Sequence, residues 1–472
     1  MKTQIMKNLV YQVSYQLLLR VMPIITIPII SRALGPSGIG TYNYINSIVQ
    51  YFVLVAGLGL ATYGVREIAI ARESKETLSR KFWEIQIFNM LFATLILMLY
   101  FIFAFLTGYT MYFLIMSMVL FGTLFDISWF FAGIEDFKYI TIIGAVIKVV
   151  SFLVIIFFIR TQDDLVLYFV VKSLSILLIQ VSLWLFVFKR VNFVKIKLKE
   201  VFRHFKPALA FFVGRVAITL YTNVNVTVLG LLASMTLVGI FSNSIILVTT
   251  TIVIVTTLDV VMLPRMTKMV KDKEEKETHI LLSKTIHLQL FFTIPICIGL
   301  IAINNQMIPW FFGEEFLMLR KTVPVLAPLI VMISLGTSVS RQYLVPRNKI
   351  REKNISVICG AAVAIVLSLS LIPYINIWGA IVATFAAELT VLVMRLKFMI
   401  REINFRFDWR RIFSYLVSGG VMYLVIWIVT REMHSSPATT LLQIAIGFVV
   451  YFTLTKLMKV NGIDEFVKEK HI

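Results

Sequence analysis

Charged residues are scarce in this chain: 15% of its 472 residues are Asp, Glu, Lys or Arg, whereas 59% are hydrophobic. The mean hydropathy of +0.89 is far above the range of soluble domains. A helix needs roughly 20 apolar residues to span a bilayer, and apolar runs of that length follow one another along almost the entire sequence. The scarcity of charge therefore excludes a large soluble domain and predicts an all-α polytopic membrane protein with about 14 transmembrane helices.

The residue types that build catalytic and metal sites are also rare. Both cysteines, Cys297 and Cys359, lie inside apolar runs, which favours reduced core residues over a disulfide. The five histidines lie in loops, in tails or near span ends, too scattered for one site. No P-loop, His-Glu-x-x-His or Gly-x-Ser-x-Gly pattern occurs. We therefore expect neither an enzyme nor a protein that holds a metal or cofactor.

Acidic residues are outnumbered by basic ones, 25 against 45, so the net charge is +20. On a soluble domain this excess would suggest a nucleic-acid partner, but here the basic residues lie in short connections between apolar runs. Alternate connections are rich in Lys and Arg, as expected of loops that face the cytoplasm. The opposite connections carry only Arg32, Arg160, Arg320, Lys321 and Arg431. This asymmetry predicts a multi-pass protein of the cytoplasmic membrane, with both termini cytoplasmic and no nucleic-acid partner.

The longest basic connection divides the chain into two similar halves. A shift of 199 residues sets Gly40 on Gly239 and Arg66 on Arg265, each in the same order of helix, loop and helix. Two halves of six spans each would form a parallel repeat, with a central cavity between two lobes. The predicted domains are an N-terminal six-helix lobe at 1–190, a basic cytoplasmic linker at 191–206, a C-terminal six-helix lobe at 207–400, and two extra helices with a cytoplasmic tail at 401–472.

Several basic side chains lie deep within predicted spans. A positive charge near the middle of a span is costly unless it faces water, so we expect these residues to face the cavity. Arg20 in the first span and Arg215 in the seventh each lie on a polar helical face. Lys148 and Lys172 have a competing interpretation, because long side chains also extend to the membrane surface. The predicted substrate-binding residues are Arg20, Arg215, Lys148, Lys172, Gln12, Gln16 and Asn223.

Acidic residues inside spans are fewer than basic ones. Asp126 and Glu388 are candidates for coupling transport to H⁺ or Na⁺, although each carboxylate also suits a structural ion pair. Asp259 and Arg395 lie near the predicted cytoplasmic ends of their spans and are expected to be interfacial. The excess of cations favours an anionic substrate, and a phosphate suits Arg because the planar guanidinium binds two oxygens.

Four stretches of the chain resemble a known family. They are LGPSGIGTY at 34–42, GLGLATYGVRE at 57–67, DISWFFAGIE at 126–135 and LPR at 263–265. In these stretches the chain is similar to the polysaccharide flippases of the Wzx type, which belong to the multidrug/oligosaccharidyl-lipid/polysaccharide (MOP) superfamily.

The resemblance implies a fold, a substrate and a pathway. The fold would be two six-helix lobes plus two extra helices around a cationic cavity. The substrate would be an undecaprenyl-diphosphate-linked oligosaccharide repeat unit, moved by alternating access from the inner to the outer leaflet for capsule, exopolysaccharide or O-antigen assembly. The lipid bilayer, and a polymerase and glycosyltransferases of the same pathway, are the implied partners.

Two other functions stay open. A multidrug exporter of the same superfamily would favour acidic sites for organic cations. A membrane polymerase or ligase that acts on the same lipid-linked sugar would need an external catalytic surface. The longest predicted outside loop, from Asn304 to Lys321, is short and contains no histidine.

Overall fold

A computed structural model of the chain describes residues 2–403 and 405–463, and the side chains of residues 2–21, Val213 and Ile254 lie outside this description. Within it the ordered elements are helices, which confirms the predicted all-α class. Residue contacts divide the chain into two compact units, residues 1–223 and 224–472. The lobe boundaries drawn from the sequence stay predictions.

The first unit contains helices α1 to α8 and most of α9, and the second contains the remainder. The helices of the first are α1 (Lys2–Gly57), α2 (Leu60–Ala71), α3 (Lys75–Phe105), α4 (Thr110–Leu124), α5 (Ser128–Gly133), α6 (Phe137–Phe158), α7 (Leu165–Val187), α8 (Leu198–Phe202) and α9 (Phe205–Leu232). Those of the second are α10 (Met235–Lys271), α11 (Glu275–Phe312), α12 (Leu319–Leu326), α13 (Leu329–Ser338), α14 (Ile350–Ile375), α15 (Ile377–Ile400), α16 (Trp409–Thr430) and α17 (Pro437–Leu457). A π-helical segment, Val339–Leu344, continues α13.

The predicted number of membrane spans is confirmed. Thirteen helical stretches in the described part of the chain are long and apolar enough to cross a membrane. The first of these, Met22–Ala71, begins within the first predicted span and includes the whole of the second. Both spans belong to α1, which is interrupted at Gly35 (φ 62°, ψ 178°). Glycine is suited to this positive φ, and Pro36 follows as the first residue of the next helical segment.

Two of the stretches that carry the family resemblance pack directly against each other. Helices α2 and α5 approach so closely that a Cβ atom on Gly64 would lie 2.6 Å from the Trp129 ring. A Cβ atom on Gly133 would likewise lie 2.6 Å from the side chain of Ile68. Trp129 and Ile68 are buried in the hydrophobic core of this unit. Gly64 and Gly133 are therefore required by the close packing of α2 on α5.

The predicted basic linker is attached to the first unit through a buried acid. Glu84 on α3 is fully buried, and its carboxylate accepts hydrogen bonds from Arg203 (2.5 Å) and from Nε2 of His204 (3.1 Å). The other ring nitrogen of His204 lies 2.6 Å from the hydroxyl of Tyr63 on α2. These contacts fix the start of α9, which carries Arg215 three turns later.

Substitution of Gly64 by Ala tests the packing of α2 on α5. We expect Gly64→Ala to lower the free energy of unfolding by about 1–3 kcal/mol, because the new methyl group overlaps the indole of Trp129. The measurement is thermal unfolding of the purified protein in detergent. Gly420→Ala is the matched control, since a Cβ atom there meets nothing within 4 Å. Equal unfolding temperatures for the two variants would contradict the packing argument.

Candidate functional site

A cavity of about 420 Å³ lies within the first unit. Helices α1, α2, α3, α4, α5, α7 and α9 all contribute to its wall, and α1, α3, α7 and α9 each supply an amide or guanidinium side chain. The joint, which is the segment of residues 125–127 between α4 and α5, supplies an acidic side chain. These polar residues are Gln50, Asn89, Asp126, Gln180 and Arg215.

The cavity owes its shape to a break between α4 and α5. Four successive carbonyls at the break, those of residues 123–126, lose the regular helical hydrogen-bond pattern, although that of Thr123 still accepts a bond from the backbone N–H of Asp126 at 3.3 Å. Each of the four also accepts a hydrogen bond from a side chain, so the joint is stable in an apolar surrounding. The donors are Asn89 to Thr123 (3.0 Å), Gln86 to Leu124 (3.0 Å), Trp184 to Phe125 (2.9 Å) and Trp129 to Asp126 (2.9 Å).

This joint places Asp126 at the wall of a cavity that a cation also lines. Asp126 is half-buried, and its Oδ1 accepts a hydrogen bond from the backbone N–H of Ser128 at 2.8 Å. Arg215 lines the same cavity with an exposed side chain and interacts electrostatically with Asp126. A guanidinium has more N–H donors than one carboxylate accepts, so Arg215 can also bind an anion.

Neutral amides surround this charged pair. The amide nitrogen of Asn89 donates two hydrogen bonds to carbonyls of α4, one to Thr123 and a second to Leu124 at 3.3 Å. Gln180 differs, because its buried Oε1 has no hydrogen-bond partner in the described part of the chain. A buried acceptor without a partner is uncommon, so Gln180, which lines the cavity, has one unused acceptor.

Lys148 and Lys172 form a separate cationic cluster. Neither belongs to the wall of the cavity. Lys148 on α6 and Lys172 on α7 are close enough to interact electrostatically. The ammonium of Lys172 lies 5.7 Å from the centre of the Tyr168 ring, a cation–π distance, and Tyr42 packs edge-on against the same ring at 4.7 Å. The first unit thus has two distinct positive regions.

Comparison with known proteins identifies the family. The sequence model of the polysaccharide biosynthesis protein family matches residues 5–270, more than half of the chain. The chain belongs to this family.

Two curated relatives of this family member are named, provisionally, as O-antigen transporters. The protein from Shigella dysenteriae is 22% identical over 386 residues, which cover 79% of this chain and 95% of the relative. The protein from Escherichia coli strain K12 is 25% identical over 253 residues, which cover 51% of this chain and 60% of the relative.

Solved structures show the same fold. One is the lipid II flippase MurJ in an inward closed conformation, with a TM-score of 0.78 and 15% identity over 95% of this chain and 98% of that one. Another is an inward-facing multidrug resistance MATE family transporter of the MOP superfamily, with a TM-score of 0.59 and 13% identity over 81% and 94% of the two chains. This member of the polysaccharide biosynthesis family therefore has the fold of the two solved transporters, and its curated relatives are named as transporters, which agrees with the prediction that it is not an enzyme.

The structure places the other predicted site residues of this transporter as follows. The side chains of Arg20, Gln12 and Gln16 lie outside the described residues, so their roles stay predictions. Asn223 donates to the carbonyl of Thr219 on its own helix at 3.0 Å. Glu388 is half-buried on α15 and has an interaction partner.

One expectation from the sequence is wrong. Asp259 is not interfacial: it is 0% exposed and accepts three side-chain hydrogen bonds inside the second unit. Its position near the predicted end of its span suggested that it is exposed, but side chains of α11 and α13 pack against it. Sequence reasoning also missed Glu84, Asn89 and Gln180. A sequence signal was present, because polar side chains in otherwise apolar runs require partners.

Removal of the Asn89 amide tests the joint between α4 and α5. We expect Asn89→Ala to lower the free energy of unfolding by about 1–3 kcal/mol, because it leaves the carbonyl of Thr123 without its side-chain donor. Thermal unfolding in detergent measures the change. Asn305→Ala is the control, since this residue is exposed on α11. The account of the joint is wrong if both variants unfold at the wild-type temperature.

Proposed function

We propose that this transporter is a flippase for undecaprenyl-diphosphate-linked oligosaccharide repeat units in the cytoplasmic membrane. Membership of the polysaccharide biosynthesis family and the names of the curated relatives support a lipid-linked polysaccharide as the cargo. The single observation that carries the proposal is the cavity that Arg215 and Asp126 line together with neutral amides. The polymer it serves is a capsule, an exopolysaccharide or an O-antigen.

The chemistry of the cavity suits a diphosphate joined to a sugar. The planar guanidinium of Arg215 offers paired donors to two phosphate oxygens. Asp126 is the internal counter-ion of Arg215 when no substrate is bound. The amides of Gln50 and Gln180 provide donors and acceptors for sugar hydroxyls. The cavity is of the size that ligand pockets usually have, so it accommodates the headgroup while the polyprenyl chain stays in lipid.

The predicted topology sets the direction of movement. With both termini in the cytoplasm, α3 and α9 enter from the cytoplasmic side, and Asn89 and Arg215 lie in the inner half of the membrane. The cluster of Lys148 and Lys172 then lies further out, because α7, which carries Lys172, begins at the outer surface. A diphosphate loaded at Arg215 would meet this second positive region on its way outward. Arg20, Gln12, Gln16 and Asn223 complete the proposed pathway.

Transport against a gradient requires a coupled ion. We propose that H⁺ or Na⁺ supplies this coupling at Asp126 or Glu388. Occupancy of Asp126 by a proton would release Arg215 for the phosphate, so that ion and substrate act on one electrostatic pair. A polymerase and glycosyltransferases of the same pathway would consume and supply the lipid-linked sugar.

A reconstituted assay tests the role of Arg215. Liposomes contain the purified protein and a fluorescent undecaprenyl-diphosphate-linked oligosaccharide, and a membrane-impermeant quencher reports the leaflet in which the sugar lies. We expect Arg215→Ala to slow leaflet exchange by about 10-fold or more, since a charge-assisted hydrogen bond is lost. Arg215→Lys should retain part of the activity, because it keeps the charge but not the paired donors.

Arg160→Ala is the control for loss of a basic residue, because Arg160 is exposed in the loop between α6 and α7. Wild-type exchange in the Arg215→Ala protein would remove Arg215 from the pathway. Growth of longer saccharide chains in the liposomes would indicate a polymerase and contradict the proposed function.

A further inference from the structure

Polar contacts at the start of α9 attach this helix to the first unit. His204, which directly precedes α9, is 1% exposed, and its Nε2 lies 3.1 Å from the carboxylate of Glu84. Its Nδ1 lies 2.6 Å from the hydroxyl of Tyr63 on α2. A carboxylate only accepts hydrogen bonds, so Nε2 carries a proton and donates to Glu84. Arg203 donates to the same carboxylate at 2.5 Å, so the two residues before α9 both bind Glu84.

The backbones of α2 and α9 also approach each other closely at this end. Gly59 directly precedes α2 with a φ of 73°, and a Cβ atom there would lie 2.8 Å from the carbonyl oxygen of Ala208 and 2.8 Å from the amide nitrogen of Phe212. Ala208 is fully buried. Glycine alone combines this conformation with such a close approach. The first two turns of α9 are therefore held in place by α2 and α3.

The following turns of α9 are less tightly packed. A Cβ atom on Gly214 would meet no described residue within 4 Å. The side chain of Arg215 is exposed at the cavity, and that of Ile218 is 52% exposed. Arg215 follows His204 at a distance of about 16 Å along the helix axis. A rotation of α9 by about 5° at His204 would therefore move Arg215 by about 1.4 Å, enough to break a hydrogen bond.

The joint that carries Asp126 is attached to the same helix, α2. Gly64, which follows Tyr63 in the sequence, packs against the ring of Trp129. Trp129 in turn donates to the carbonyl of Asp126 at 2.9 Å. Successive residues of α2 thus contact the support of Arg215 and the support of Asp126.

We propose that Tyr63, His204 and Glu84 are positioning residues that set the distance between Arg215 and Asp126 across the cavity. Helix α2 is the common reference, because Tyr63 holds the start of α9 while Gly64 holds the joint. The hydrogen bonds of Arg215 to a phosphate then depend on a network that touches no substrate. This inference rests on the proposed role of Arg215 in phosphate binding, since a positioning residue acts only through the group that it positions.

Removal of the Tyr63 hydroxyl tests this role in a double-mutant cycle. Tyr63→Phe keeps the ring and its packing, so the variant should fold, but it removes the contact with Nδ1 of His204. We expect exchange of the lipid-linked oligosaccharide between leaflets to slow by about 5-fold, because a displaced guanidinium binds phosphate less well. In the Arg215→Ala protein the same change should slow exchange by less than about 2-fold, since no guanidinium is left to position.

Binding of pyrophosphate gives a second measurement that does not require transport. An anion that binds the folded state raises the unfolding temperature of the full-length protein in detergent. Tyr63→Phe should raise the pyrophosphate concentration for half of this stabilisation by about 5-fold. A residue with only a structural role would lower the unfolding temperature without changing this concentration.

Asp136→Asn is the matched control. It removes the carboxylate that accepts a hydrogen bond from Arg190 at 2.9 Å, just before the basic linker. We expect exchange within about 2-fold of the wild type, because this ion pair is partly exposed and far along the chain from α9. The inference is overturned if Tyr63→Phe slows exchange equally with and without Arg215, or does not slow it. Wild-type exchange in the Arg215→Ala protein alone would instead contradict the proposed function, so the two failures are distinguishable.

Discussion

The break between α4 and α5 is the constraint on which the first unit depends. A helix that ends within an apolar surrounding leaves four carbonyls without partners, and water is not available to satisfy them. Here two amides from α3 and two indoles provide the missing donors. Because these donors are directional, they fix α3 and α7 relative to the break. The cavity and the position of Asp126 at its wall follow from this arrangement.

Electrostatic repulsion in an apolar surrounding explains how the first unit distributes its positive charges. Four cations collected around one small cavity would repel one another strongly in a medium of low dielectric constant. Arg215 is instead placed near Asp126, while Lys172 lies over the ring of Tyr168 and shares its surroundings with Lys148. The positive charge of these described residues is therefore divided between two regions of the first unit.

The sequence predicted the helices well, because the membrane requires long apolar runs and allows only helices in such a chain. It also predicted that Arg215 faces a cavity and that Asp126 either couples an ion or forms an ion pair, and the structure places both side chains at one cavity wall. The positions of Asn89 and Gln180 were missed because amides in apolar runs carry no periodic pattern. Asp259 was misplaced because depth was judged from position along the helix, while its burial comes from α11 and α13, which the linear sequence does not reveal as neighbours. The site predicted from Arg20 stays a prediction.

Asp126 and Asp259 show how the same side chain behaves differently in different surroundings. Asp126 receives one backbone hydrogen bond and lines a cavity with Arg215 on its wall, so its charge is balanced within the protein. Asp259 receives three side-chain hydrogen bonds in a closed interior, with orphaned oxygens beside it and no salt bridge among the described residues. Hydrogen bonds from neutral donors stabilise a carboxylate without removing its net charge. Asp126 therefore interacts with a neighbouring cation at the wall of a cavity, whereas Asp259 on α10 organises a buried hydrogen-bond network that joins α10 to α11 and α13.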